Sequence, residues 1–405
     1  MLLALILSAI AAPVDGYIDC HNHPAAHRAL WPIYRPGPTA DLPRNPTWDH
    51  RLKQQMFVEG LKQSGTTIFL TTAYANPYVV YLRSRRSVAR SIERQLRYVE
   101  RFAEEHAGDF AHARTPEEAR SAIAAGKIVF IHAIEGASNL IERPEHARRW
   151  ADRGVAVITP IHMADNNLGD AAYSELFGRA LNLRGRREVR RIARKGESAR
   201  RYRGLSERGV AVITAMARAG IVIDLAHMDS TAVEETLDLL QPLGSPPMIT
   251  HGAMDAIRQE RRSTPDRVAR RIYDAGGLIA LAGNAEGLAP HPAEPPEGHC
   301  EGSVDDLLLH YEHLAAVIDN APIAWGSDFH GGVVHFRPRY GPEGCAAAPE
   351  MASEFDTQGL THVGMMPGVV DAIEQTGPGV TPLMGSAERF LTLWETARHS
   401  RAQKT

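Results

Sequence analysis

Cysteine is nearly absent, with three residues in 405, which excludes a disulfide scaffold and a structural zinc ribbon. Charge of either sign is not in excess: the net value of −3 argues against a general nucleic-acid binder. Long apolar runs are missing after the first residues, so no transmembrane segment is expected. The glycine-rich pieces, such as Gly326-Ser327-Asp328-Phe329-His330-Gly331-Gly332, lack the spacing of a phosphate-binding loop.

What remains is a chain of soluble globular composition, 44% apolar and 23% charged, long enough to bury a large core. Residues 1–12 are apolar and resemble the h-region of a signal peptide, with Ala9-Ile10-Ala11 as an A-x-A cleavage pattern. No Lys or Arg precedes the run, so an apolar N-terminal extension is the alternative. Export to the periplasm or outside is the expectation, with the cytoplasm as the other location.

Eight short apolar segments read as strands: 17–23, 66–73, 127–135, 155–162, 220–227, 247–251, 277–282 and 322–329. Their near-continuous apolarity fits strands covered on both faces, as in parallel sheets. Helical patterns at 87–106, 116–125, 206–219, 231–240, 265–275 and 304–318 separate most of them. Alternating β and α over eight repeats predicts an α/β fold, a (β/α)8 TIM-type barrel, as a single domain over 13–405. Insertions at about 168–204 (rich in Arg), 284–302 and 331–366 follow strands and are expected on the catalytic face. A helix near 387–397 is expected on the barrel exterior.

The strand ends carry the chemistry. They finish in or beside His21 and His23, Glu135, His162, His227, His251 and Asp328. Residues of ligand or proton-transfer type at one end of successive barrel strands predict a metal site across one mouth. His21 and His23, at i and i+2, share a strand face and can grip one ion. Each His alone could be a satisfied core residue, and Glu135 alone could pair with an Arg. Their common placement favours ligands, because a buried lone carboxylate is costly unless it is paired or binds a cation. His162 is then surplus and suited to donate to a developing oxyanion. Asp328 is suited to accept a proton. Asp224 is read as structural, on the opposite face from His227, and Cys20 as core packing on the opposite face from His21. The basic insertion reads first as a solvated surface and second as a means of steering anions.

With these residues in place, the chain resembles the membrane dipeptidase family of amidohydrolase-like barrels from about residue 17 onward. Asp19-Cys20-His21-Asn22-His23 resembles its D-G-H-N-D opening, Ile134-Glu135-Gly136 its V-E-G, and Pro160-Ile161-His162 loosely its L-T-H. Gly220 through Asp224-Leu225-Ala226-His227 resembles its I-D-L-S-H strand, the longest match. Thr250-His251-Gly252 through Arg261-Arg262-Ser263-Thr264-Pro265-Asp266 resembles S-H-S…R-R-N-x-P-D, and Ser327-Asp328-Phe329-His330-Gly331 resembles G-D-F-D-G. Two departures stand out: His23 and His330 each replace a family Asp. The first removes a negative charge from the metal site and is expected to loosen its first ion.

The resemblance implies hydrolysis of the amide bond of dipeptides or similar small molecules by a hydroxide bridging two divalent ions, zinc first. One ion would take His21, His23 and Glu135, the other Glu135, His227 and His251. His162 would polarise the scissile carbonyl, Arg262 would hold the substrate carboxylate, and Asp328 would shuttle the proton. Arg261 competes with Arg262 on chemistry alone. A homodimer stays open, as does a disulfide between Cys300 and Cys345. The alternatives are a barrel of the same kind cleaving a lactone, cyclic amide or phosphoester, and a metal-free homologue without activity.

Overall fold

The computed structural model describes residues 13–26, 28, 55–75, 84–137, 139–172 and 203–402. The expected signal segment and most of the Arg-rich insertion lie outside them.

Nine parallel strands form one sheet: β1 (Ile18–Asn22), β2 (Ile68–Tyr74), β3 (Phe110–Ala113), β4 (Ile128–Glu135), β5 (Val155–Thr159), β6 (Val222–Ile223), β7 (Met248–Gly252), β8 (Leu278–Ala282) and β9 (Ala324–Gly326). Eight follow the order β6-β5-β4-β2-β1-β9-β8-β7, and β3 pairs beside β4. A parallel bridge from Asp224 to Met248 joins the two ends of that path and closes the barrel. The eight expected segments are therefore its staves, and β3 is an addition. Its sequence, Phe-Ala-His-Ala, is too short and too mixed to register as an apolar run.

Helices lie between the staves because their starts are written locally. Thr115, Ser206, Asp229 and Ser303 each sit at an N-cap and accept a backbone N–H of the first turn, which would otherwise lack a partner. The insertions after the last two staves are not wholly irregular. They hold short helices at Ala285–Leu288 and Glu354–Gln358.

The expected exterior helix, Ser386–Ala402, lies across the N-terminal end of the barrel rather than along its side. Its Phe390, Leu391, Trp394 and Ala397 join a buried cluster with Ile18, Leu70, Ile131, Val157, Met248 and Leu278 from the staves. Ala387 donates to Gly16 O at 3.2 Å and Arg389 Nε to Gly277 O at 3.0 Å, both just ahead of strands. The helix thus closes the N-terminal end of the barrel, and a side-chain interior of this kind is a packed core. The opposite mouth is left for chemistry.

Alternation breaks where function needs it. The β1–β2 register shifts between Asp19 and Asn22, so Cys20 joins the interior cluster with Ile18 and Leu70 although His21 and His23 also turn inward. Cys20 is core, as expected, but it is not on the opposite face. A second shift, between Ile249 and Gly252, falls at His251. Bulges of this sort re-aim side chains next to active sites.

Cys300 and Cys345 are bonded, with Cα atoms 5.7 Å apart, and link the segments after β8 and β9. Non-reducing peptide mapping is expected to recover the two as one linked pair and Cys20 as a free thiol. Alkylation of both Cys300 and Cys345 without prior reduction would contradict this. Burial pushes the Cys20 thiol well above its ordinary pKa, so it should alkylate only on unfolding.

Candidate metal centre

Glu135 is the hub of the open mouth. Its Oε1 lies 3.4 Å from His21 Nε2, 3.3 Å from His162 Nε2 and 3.2 Å from His227 Nε2; its Oε2 lies 3.5 Å from His23 Nε2. His23 Nε2 is also 3.2 Å from Asp328 Oδ1. His227 and His251 meet Nε2 to Nε2 at 3.0 Å, and His21 and His23 at 3.1 Å. All seven expected residues of the strand ends therefore converge. Ligand atoms within 4.8 Å of one another fall into the groups His21–Glu135–His251, His21–His23–Asp328 and Glu135–His162–His227. His251 thus stands beside His21 as well as His227, with the His21 and His251 ring centroids 4.0 Å apart.

A buried Thr–Asp pair fixes two of these rings. Thr250 Oγ1 donates to Asp224 Oδ2 at 2.8 Å, which uses its only hydrogen. It lies 3.1 Å from His21 Nδ1 and 3.0 Å from His251 Nδ1, so both contacts must be accepted by the hydroxyl. Each ring then carries its hydrogen on Nδ1 and a lone pair on Nε2. His23 donates from Nδ1 to Thr72 O at 3.1 Å, with the same result. With Nδ1 engaged in both rings, Nε2 of His21 and Nε2 of His23 face each other at 3.1 Å. That arrangement repels unless a cation or a proton lies between, and it fits a divalent ion. Asp224 accordingly does not point away from the site. Asp224 is the last paired residue of its strand and the chain turns beyond it to the left-handed His227, so alternation does not separate the two; the Asp224 carboxylate sits behind Thr250, held also by Thr159 Oγ1 at 2.5 Å.

Electrostatics agree. In the absence of a cation, burial opposes charge on His21, but Glu135 and Asp328 lift it to about 9, so a proton takes the cation's place. Burial lowers His162 to about 4, His227 to about 3 and His251 well below its ordinary value, leaving neutral rings. Burial also acts to raise the two carboxyls. His162 and His21 nevertheless hold Glu135 well down, and the contact with His23 holds Asp328 below the usual value. His227 and Asp328 both have left-handed backbones, φ 66° and 55°. Such non-glycine residues cost on the order of 1–3 kcal/mol each and cluster at functional sites.

The two neighbouring arginines separate cleanly. Arg261 Nε donates to Asp229 Oδ2 at 2.9 Å, and its Nη2 donates to Asp229 and Ser230, so it braces the cap of the helix Ser230–Leu240. Arg262 has buried Nε and Nη2 atoms with no hydrogen-bond partner among the described residues. It borders a cavity of about 240 Å³ shared with Arg258, Asn284 and Gly252. His330 is engaged by backbone: its Nε2 accepts from Gln55 N at 2.8 Å and Met56 N at 3.2 Å. Thr250 and Asp224 are the residues whose part in the site the sequence reading missed. The usable signal was a hydroxyl next to one ligand and a carboxylate just before another.

A Thr250→Val variant keeps the shape and loses the shared acceptor. It is expected to bind metal about 10–100-fold more weakly, the usual scale for a ligand's hydrogen-bond partner. Thr250→Ser should restore affinity. Competition against a chromogenic chelator measures both, and equal affinity in all three proteins would reject the tautomer argument.

Comparison with known proteins gives the family and the fold. The family model of the membrane dipeptidases, peptidase family M19, matches residues 16–362. An uncharacterised dipeptidase of Schizosaccharomyces pombe is 23% identical over 265 residues, covering 65% of this chain and 52% of that protein. The dipeptidase verJ of Clonostachys rogersoniana is 23% identical over 242 residues, covering 60% and 53%. The chain thus spans about half the length of these relatives. Among solved structures, the probable dipeptidase PvdM of Pseudomonas aeruginosa superposes with a TM-score of 0.68 at 14% identity, covering 95% of this chain and 96% of that one. A metallopeptidase of Rhodobacter sphaeroides, solved with a phosphinate mimic of the dipeptide L-Ala-D-Ala, gives 0.66 at 16%, covering 95% and 99%. These likenesses show the fold, and the family model shows the kinship: the chain belongs to the membrane dipeptidase family, peptidase family M19.

Proposed function

We propose that this protein hydrolyses the amide bond of dipeptides or dipeptide-like small molecules with two divalent ions, zinc by the chemistry of the donors. The observation that carries the reading is a pairing. A cluster of inward-facing His Nε2 atoms around Glu135 stands beside Arg262, a guanidinium whose buried nitrogens await an anion. The first points to cations, the second to a carboxylate held close to them.

His21, His23 and Glu135 would hold one ion, and Glu135, His227 and His251 the other. Bound there, divalent ions supply Lewis acidity and make water acidic enough to attack at neutral pH. The rest falls to side chains. Arg262 binds the C-terminal carboxylate through two parallel hydrogen bonds and so sets the position of the scissile bond. His162, neutral at working pH, presents its ring next to Glu135 for the carbonyl oxygen. Asp328, ionised and 3.2 Å from His23, accepts the proton of the attacking water and returns it to the leaving amine. The Asp-to-His change at 23 leaves the first ion with one fewer anionic ligand, so that ion should be the first to leave.

The test is a panel of dipeptides, C-terminally amidated dipeptides, lactones, cyclic amides and phosphoesters, assayed on protein of known metal content. Dipeptides should be cleaved, chelation should abolish turnover, and added zinc should restore it. Full activity in metal-free protein, or turnover confined to lactones or phosphoesters, would reject the proposal. The region of the N-terminal apolar run bears on export, and mass spectrometry of the secreted protein would locate any cleavage after Ala11.

A further inference from the structure

A second group of ligand type lies outside the barrel mouth. His132 is on β4, three positions before Glu135, and its ring faces away from the barrel toward the helix Arg85–Glu105. β3 brings His112 alongside, with ring centroids 4.1 Å apart. The helix contributes Glu100, whose Oε1 is 3.3 Å from His132 Nε2. One ligand atom from each of the three lies within 4.8 Å of the others.

One feature of the group is costly without a ligand. His112 Nε2 is buried and has no hydrogen-bond partner among the described residues. Burial holds His112 down to about 3 and lowers His132 from its ordinary value, so both rings are neutral and each has a lone pair to offer. His132 Nε2 faces the Glu100 carboxylate, and Thr71 Oγ1, which donates to Ile131 O at 3.1 Å, lies 3.5 Å from His132 Nδ1. The orphaned His112 nitrogen stands beside this pair.

We propose that Glu100, His112 and His132 form a separate divalent-cation site that ties β3, β4 and the helix Arg85–Glu105 together. Two imidazoles and one carboxylate suit zinc better than calcium or magnesium, which favour oxygen donors. Arg153 does not preclude the site. It donates to both Glu100 oxygens at 2.5 and 2.8 Å, but a carboxylate oxygen has lone pairs enough to accept this bond and still ligate, and the charge of Arg153 is offset by Glu93 at 3.2 Å. No ligand is shared with the barrel mouth, so the site is structural, and its existence does not depend on the dipeptidase reading.

Zinc content after dialysis at micromolar zinc tests it. Wild type should hold one equivalent more than His112→Ala, and Glu100→Gln should show the same loss. Turnover at the barrel mouth should be unaffected in either variant. Equal zinc content in all three proteins would overturn the proposal. A measurement independent of any variant is the anomalous map at the zinc edge from crystals of the intact chain. A peak between His112 Nε2 and His132 Nε2 is expected, separate from density at the mouth, and its absence would overturn the proposal even if every dipeptide were cleaved.

Discussion

Asp328→Asn should leave the metal in place and lower kcat by about 10²–10⁴-fold, the scale of a general acid–base group. The substitution is well chosen for this backbone. Asp328 sits at φ 55°, a conformation that Asn tolerates better than almost any residue but Gly, so the turn should survive. The volume beside it is also fixed. A side-chain carbon at Gly331 would collide with the Asp328 carboxylate, which shows how closely the loop is drawn around that group. Asn keeps the shape and gives up the charge that lets Asp328 take a proton. Asp328 also belongs to one of the ligand-type groups, with His21 and His23, so metal content must be measured in parallel. Metal loss matching the loss of turnover would make Asp328 a ligand. A fall of less than tenfold with metal intact would dismiss it as the shuttle. His330 could not then be promoted in its place, because its Nε2 already accepts from the backbone of Gln55 and Met56.

Much of this was legible in the sequence, for identifiable reasons. The eight staves are covered on both faces, so they appear as apolar runs that need no partner to be recognised. Their ends carry His and carboxylates, whose burial demands an explanation. Other features depended on contacts that a run of letters does not hold. β3 is four residues with two half-buried positions, and only its pairing to β4 makes it a strand. The C-terminal helix could be placed outside the barrel but not on a particular side of it, and only its contacts show that its apolar residues cover the N-terminal end. Strict alternation misplaced Cys20 and Asp224, because one lies at a register shift and the other is the last paired residue before the chain turns toward His227. Sequence chemistry could not choose between Arg261 and Arg262. The choice depends on Asp229, 32 residues earlier in the chain, which engages the first and leaves the second.

Arg262→Ala should reduce kcat/KM for a dipeptide by two to three decades. The structure gives the reason in three steps. The guanidinium keeps its charge despite burial: desolvation lowers its pKa, while Asp328 and Glu135 support the cation. Its Nε and Nη2 atoms form one edge of the planar fork, both buried and both without a partner among the described residues. An edge of this geometry matches the two oxygens of a carboxylate, and a buried fork left unpaired is costly enough that a matching anion should be held tightly. Truncating one partner of such a pair costs about 2–5 kcal/mol, and a factor of ten corresponds to about 1.4 kcal/mol, a span of roughly one and a half to three and a half decades with two to three at its centre. The decisive comparison is with a dipeptide whose C-terminus is amidated. Wild type should already handle it poorly, because the amide brings no charge to the fork, and the Ala variant should lose little more. Arg262→Lys should recover only part of the loss, since a point charge cannot reproduce two parallel bonds. If the free and the amidated substrate lost equally, Arg262 would be bracing the wall of the cavity beside Arg258 and Asn284. The strongest reason for preferring a dipeptide to a lactone or cyclic amide would then disappear, while the case for the metal ligands around Glu135 would stand unchanged.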